Sequence, residues 1–188
     1  MPAVPAGNSV GGNGDRRQTA GMDFTIRAIR PEEYEALGEL TARAYLDDGH
    51  LDFGEDDGYL HVLRDVARRD AEAEVLVAVD ASGTLLGGVT FATAASPWAD
   101  IARDGEAEFR MLAVAKDARG RGVGEALVRA CAARARETEG CRRLVLSTQP
   151  GMATAHRIYE RTGFARSPER DWKPIADMDP LLTYGLEL

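Results

Sequence analysis

Met111-Leu112-Ala113-Val114-Ala115-Lys116-Asp117-Ala118-Arg119-Gly120-Arg121-Gly122-Val123-Gly124-Glu125-Ala126-Leu127-Val128 reads as a strand, a short basic turn crowded with glycine, and the start of a helix. Phe109, Met111 and Ala113 alternate with Arg110, Leu112 and Val114, the period-two pattern of a strand covered on both faces. From Gly122 onward Val123, Leu127, Ala130, Cys131 and Ala135 follow helical spacing. Between the two, Gly120, Gly122 and Gly124 let backbone approach a ligand with no Cβ in the way. The first amides of a helix lack intrahelical partners and carry the positive end of its dipole. Arg119 and Arg121 add formal charge beside them. Such a turn suits an anionic phosphate.

Three phosphate-binding turns compete for this stretch, beside a plain strand–helix connection with flexible glycines. A P-loop ends in Gly-Lys-Ser/Thr, and Gly124-Glu125 fails that test. A dinucleotide fold sets its glycines directly after a strand and repeats the strand–helix unit. Here Lys116 to Ala118 intervene, and too little chain follows for both halves. The third is the pyrophosphate loop of acyl-coenzyme A enzymes: Arg119-x-x-Gly122-x-Gly124 resembles the Arg/Gln-x-x-Gly-x-Gly/Ala signature of the GNAT family of N-acetyltransferases.

Composition bounds the reading. At 188 residues, 44% hydrophobic and 29% charged, the chain can fill one ordinary core, and residues 23–188 read as a single domain. Residues 1–22, rich in Gly, Ala, Asn and Pro without either period, read as a flexible leader. No apolar run approaches a membrane span, and the N-terminus lacks a signal pattern. Cys131 and Cys141 make neither a disulfide framework nor a metal cluster; free thiols point to a cytoplasmic location. A net charge of −8 argues against a general nucleic-acid binder, yet leaves room for one local basic turn.

The remaining elements alternate in kind. Phe24–Ile29 predicts a strand and Arg30 a junction before Pro31. A helix follows, with Tyr34, Leu37, Thr41, Ala44 and Tyr45 inward. A second helix from about Asp57 to Arg69 should bury Leu60, Leu63, Val66 and Ala67. Glu74–Asp80 and Leu85–Ala92 predict a hairpin turned by Ser82-Gly83, with Gly87-Gly88 marking a bulge or a close approach. Ala94 to Glu106 reads as an irregular connection. Arg143–Thr148 is a short buried strand, then a helix carries Ala155, Ile158 and Tyr159 to a stop at Gly163. Phe164 opens another strand and Leu181–Leu188 forms the last. The order makes an α/β or mixed α+β sandwich.

That order is also the GNAT order from Asp23 to Leu188, and a second motif supports the resemblance. Ala155-His156-Arg157-Ile158-Tyr159-Glu160-Arg161-Thr162-Gly163-Phe164 is similar to the family's Ala-x-x-x-Tyr-Glu-x-x-Gly-Phe segment. The resemblance implies an acyl-CoA N-acyltransferase fold: a central mixed, mostly antiparallel sheet, splayed in the middle, with helices on both faces. Acetyl-CoA is then expected between the strands 109–114 and 143–148. Its pyrophosphate falls on Arg119, Gly120, Arg121, Gly122, Val123 and Gly124, and its pantetheine arm along the backbone of Leu112, Ala113 and Val114. Tyr159 takes the position of the family's helix tyrosine, expected to serve the leaving thiolate, and Glu108 that of a general base. Met152 departs from the pattern, where an Asn often opens this helix. Homodimers are common in the family.

Acetyl transfer to an amine is the activity this implies, and no metal ligand set is expected, since His50, His61 and His156 are scattered. Between the first two helices Asp47, Asp48, Asp52, Glu55, Asp56 and Asp57 crowd one loop. By family analogy this loop borders the acceptor pocket, together with His50, and its charge suits a small cationic amine or a protein amino group. A non-catalytic CoA-binding sensor with the same fold is the alternative, and an acyl group other than acetyl would be decided by the pocket near Gly87-Gly88 and Leu112.

Overall fold

In the computed structural model the described residues are 23–51 and 54–188; the leader, with Asp52 and Phe53 of the acidic loop, lies outside them. Strand β1 (Phe24–Ala28) runs to Arg30, held extended before Pro31 as the proline requires. Glu33 accepts the Arg30 N–H at 2.9 Å and pairs with Arg27, which fixes the entry to α1 (Tyr34–Asp47). The second helix is two: α2 (Tyr59–Arg64) and α3 (Val66–Glu72). Asp65 breaks them, leaving helical angles and accepting the Arg68 N–H to cap α3. The break shifts the phase of the buried face. Ala67 is therefore exposed and Arg69 is fully buried, donating to the Leu63 carbonyl and to Thr90.

Strands β2 (Glu74–Asp80), β3 (Leu85–Thr93) and β4 (Glu106–Val114) follow, then α4 (Val123–Glu137), β5 (Arg143–Thr148), α5 (Ala153–Arg161), β6 (Ala165–Arg166) and β7 (Leu182–Glu187). The seven strands form one sheet in the order β1-β2-β3-β4-β5-β7-β6, antiparallel except for the β4–β5 pair. One face packs on α4 and α5 through Leu76, Phe91, Phe109, Leu127 and Leu146. The other face meets α1 to α3: Val75 and Val77 pack with Leu37, and Met111 with Leu60 and Leu63. At Gly87 a Cβ would lie 2.5 Å from the Ala113 carbonyl oxygen, so the expected close approach is between β3 and β4, beside a register shift in the β2–β3 pair.

The alternation expected along the organising strand fails at its middle. Thr90 pairs with Arg110 and Gly88 with Ala113, so Val89 alone faces Met111 and Leu112. This bulge puts Met111 at φ 54, the left-handed region, and turns its side chain to the α1 face. Leu112 and Val114 then pack with Phe109 on the α4 face rather than opposite it. One inserted residue exchanges the two faces downstream.

Paired carboxylates set the acid limit. For Glu106, burial pushes its carboxyl up, but the Arg170 guanidinium, at 2.7 and 2.9 Å, and the Arg103 amide outweigh burial and bring it below the usual carboxylate range. Arg27 lowers Glu33, and Arg166 lowers Asp171. Lowered carboxyls stabilise the fold above their unfolded pKa and lose that contribution as pH falls through the folded value. Stability should therefore hold above about pH 5 and fall below about pH 4 in denaturant titrations. Arg170→Met, which strands half-buried Glu106, should cost about 2 kcal/mol at pH 7, below the cost of breaking a fully buried pair, and less at pH 3.

Candidate active site

β4 and β5 pair only through Glu106–Glu108 and Arg143–Val145. Beyond that point β5 keeps its partner β7, up to Thr148 with Leu182, while β4 continues from Phe109 with no strand on that side. The sheet thus opens as a V, and the outer edge of β4 offers unpaired backbone donors and acceptors. The bulge at Met111 and Leu112 falls on this open segment, where an inserted residue leaves main-chain groups out of the ladder. A cavity of about 380 Å³ occupies the V, walled by Phe109 to Leu112 on one side and Ser147 to Gln149 on the other.

The turn after β4 is built for an anion. Gly120 and Gly122 have φ 79 and 81, a conformation that L side chains rarely adopt, and α4 begins directly after them. Successive amides in such a turn converge on a concavity, and the first turn of the 15-residue α4 adds its unpartnered N–H groups. Both turn arginines already hold carboxylates: Arg119 binds Asp48 in a two-bond fork at 2.9 and 2.8 Å, and Arg121 binds Asp23. The backbone geometry of the turn suits an anion such as a diphosphate, while both of its arginines are paired with carboxylates.

Tyr159 comes from α5 to line the cavity and is 4% exposed, its ring among Phe109, Phe164 and Tyr184 at centroid distances of 5.8, 6.2 and 5.7 Å. Burial pushes its phenol well above the usual range, offset in part by a hydrogen bond with Thr148. Met152 also lines the cavity, and its sulfur accepts the Thr148 hydroxyl at 3.3 Å.

Glu108 stands elsewhere. Its side chain is fully buried, it is absent from the cavity wall, and Oε2 accepts the N–H groups of Asp100, Ile101 and Ala102 at 2.9, 2.8 and 3.1 Å. Burial raises its pKa against these bonds and the nearby Arg110 charge. It ties down the connection after β3, which the sequence marked only as irregular. Arg110 completes the tie, donating to the Trp98 carbonyl and pairing with Asp100 at 2.6 Å.

The acidic loop divides. Asp48 faces Arg119 of the glycine turn, Glu55 and Asp56 are exposed, and of its described carboxylates Asp57 lines the cavity. His50 lines it too, its carbonyl accepting Gln149 Nε2 at 2.9 Å and thereby joining this loop to the end of β5. His156 and His61 do not line it; His156 bonds the Gln149 carbonyl at 3.1 Å. Sequence reasoning missed the segment between β6 and β7, where Trp172, bridged to Leu181, joins Ile175 and Met178 in the wall. Large apolar residues between prolines, with no period, were the signal available. Among the described residues no group of three or more His, Cys, Asp or Glu could hold a metal, and no helix is long and apolar enough to cross a membrane.

Known proteins share this architecture. A family model described as acetyltransferase (GNAT) family matches residues 33–164. A mycothiol acetyltransferase from Salinispora tropica is 36% identical over 148 residues, covering 76% of this chain and 45% of that protein, so the chain spans less than half of that relative's length. Among solved structures, a GNAT-family acetyltransferase from Staphylococcus aureus superposes with a TM-score of 0.68 at 14% identity, over 87% of this chain and 98% of that one. PaiA N-acetyltransferase from Thermoplasma acidophilum, in complex with coenzyme A, gives 0.64 at 16% identity, over 89% and 100%. The yncA protein of Salmonella typhimurium, with its cofactor acetyl-CoA, gives 0.62 at 20% identity, over 87% and 93%.

Proposed function

This chain belongs to the acetyltransferase (GNAT) family, and from that premise we propose that it moves an acetyl group from acetyl-CoA to a primary amine, a small cationic amine or a protein amino group, by direct attack. The observation that carries the proposal is the cavity in the β4–β5 opening, lined by the open edge of β4 and by Tyr159, with the glycine turn following β4 in the chain. When bound, acetyl-CoA supplies the activated thioester carbonyl. The backbone of Leu112, Ala113 and Val114 would pair with its extended arm, and the turn Arg119–Gly124, through Gly120, Arg121, Gly122 and Val123, would take the diphosphate.

The remaining steps fall to this chain's own groups. An ammonium with a pKa around 10.4 must lose a proton before it attacks. His50 and Asp57 at the cavity wall are the groups that support its removal, through water. The backbone freed by the Met111–Leu112 bulge is suited to an oxyanion. Burial raises the phenol of Tyr159 and favours its protonated form, so it would offer a hydrogen bond to a leaving sulfur rather than a full proton. Glu108 we assign a positioning role: it holds the 100–102 connection and, with it, Asp100 and Arg110. The free thiols Cys131 and Cys141 suit a reducing, cytoplasmic setting.

The test follows free thiol when the full chain meets acetyl-CoA and a panel of primary amines. Thiol release that depends on the amine, with an equal yield of acetylated amine, is the expected result. Calorimetric uptake of CoA with no amine-dependent thiol would instead mark a CoA-binding sensor.

A further inference from the structure

Two stretches outside the helices and named strands supply part of the cavity wall: the connection after β3 brings Asp100, and the segment between β6 and β7 brings Trp172. Residues 173–177, 179 and 180 of the second stretch are exposed, so little packing holds it down. The indole N–H of Trp172 is buried with no hydrogen-bond partner among the described residues. Its place in the wall is therefore set by the backbone on either side of it.

Three anchors fix that backbone. Trp172 and Leu181 exchange two main-chain bonds at 3.3 and 2.8 Å, and Asp171 accepts the Thr183 N–H at 2.8 Å while pairing with Arg166. Both tie the segment to its own hairpin. Arg170, of the three, reaches across to the other stretch. Its guanidinium forks onto both carboxylate oxygens of Glu106 at 2.7 and 2.9 Å and donates to the Ile101 carbonyl at 2.8 Å. Glu108 meanwhile accepts the Ile101 N–H, so the residue beside Asp100 is gripped at both of its main-chain groups. Glu106, Glu108 and Arg110 share the face of β4 opposite Phe109. The cofactor contacts proposed above begin at Leu112 and run on to the glycine turn, which leaves the wall near Asp100 and Trp172 to the amine.

We propose that Arg170 is a positioning residue for the acceptor amine: its bonds to Glu106 and Ile101 lock the Trp172 segment to the Asp100 connection, and the wall they form together orients the amine. The proposal rests on the acetyl-transfer reading for its chemistry, though not for the anchoring it describes.

The experiment compares the full chain with Arg170→Met and Arg170→Lys. Thiol release from acetyl-CoA is followed with 2-phenylethylamine, ethanolamine and spermidine, and CoA affinity by calorimetry. Hydrogen exchange is read at the Trp172 and Leu181 amides against those of β2, beside denaturation midpoints. In Arg170→Met the KM of each reacting amine should rise about tenfold, with kcat within about threefold and CoA affinity within about twofold. Exchange at Trp172 and Leu181 should quicken at least about tenfold while β2 keeps its protection. Lysine keeps a charge beside Glu106, but its single ammonium does not span Glu106 and Ile101 as the planar fork does. Arg170→Lys should therefore regain most of the midpoint and keep a KM raised about fivefold, and it carries the comparison if Arg170→Met does not fold. A KM that returns to the parent value with the midpoint, or unchanged exchange at Trp172 and Leu181, would overturn the proposal. Quickened exchange in a chain that takes up CoA but releases no amine-dependent thiol would uphold the anchoring and overturn acetyl transfer.

Discussion

Tyr159→Phe should lower kcat about 100-fold, the lower end of what one hydrogen-bond donor to developing charge contributes. The substitution removes one hydroxyl and leaves the ring, so the contacts with Phe109, Phe164 and Tyr184 survive. Thr148 keeps its bond to Met152. Loss of one buried hydrogen bond costs about 1 kcal/mol of stability, too little to unfold the chain. The CoA affinity should stay within about twofold, because the turn and the β4 edge bind through backbone that the change does not touch. An unchanged kcat would remove Tyr159 from the chemistry and leave it a core residue.

Glu108→Ala should cost about 3–5 kcal/mol, the scale of breaking a buried charged group from its partners. Three backbone N–H groups lose their shared acceptor, and Arg110 loses the carboxylate at 3.9 Å. Glu108→Gln keeps one oxygen for the three amides and should retain most of the stability, with kcat lowered less than tenfold. A general base behaves in the opposite way: the Gln variant would keep its denaturation midpoint and lose kcat as severely as Tyr159→Phe. Denaturation midpoints and kcat for the two variants together decide between a tie that positions the wall and a group that takes the proton.

The contrast between these two residues shows how much of the site was legible. Tyr159 was singled out by the resemblance of 155–164 to the family segment, on a helix whose apolar face is local in the sequence, and α5 carries it to the cavity. Glu108 lies on the expected strand, but its side chain turns to the connection at 100–102 and is absent from the cavity wall, because its partners are set by how that connection folds back over β4. The acidic loop was read as one acidic patch, whereas Asp48 reaches an arginine 71 residues away and Asp57 lines the cavity.

From the residues alone came most of the strands and helices and the glycine turn, while the opening between 109–114 and 143–148 was implied by the family resemblance. The elements follow from periodicity and turn chemistry, which act over a few neighbouring residues and are written into them. Only the tertiary structure decided that Met111 bulges and exchanges the faces of β4, that Asp65 splits a helix and buries Arg69, and that Trp172, Ile175 and Met178 join the cavity wall. Each of these depends on which distant groups meet. A hydrogen bond or a packed ring contributes only when both partners arrive, and the order of residues along the chain does not state who arrives.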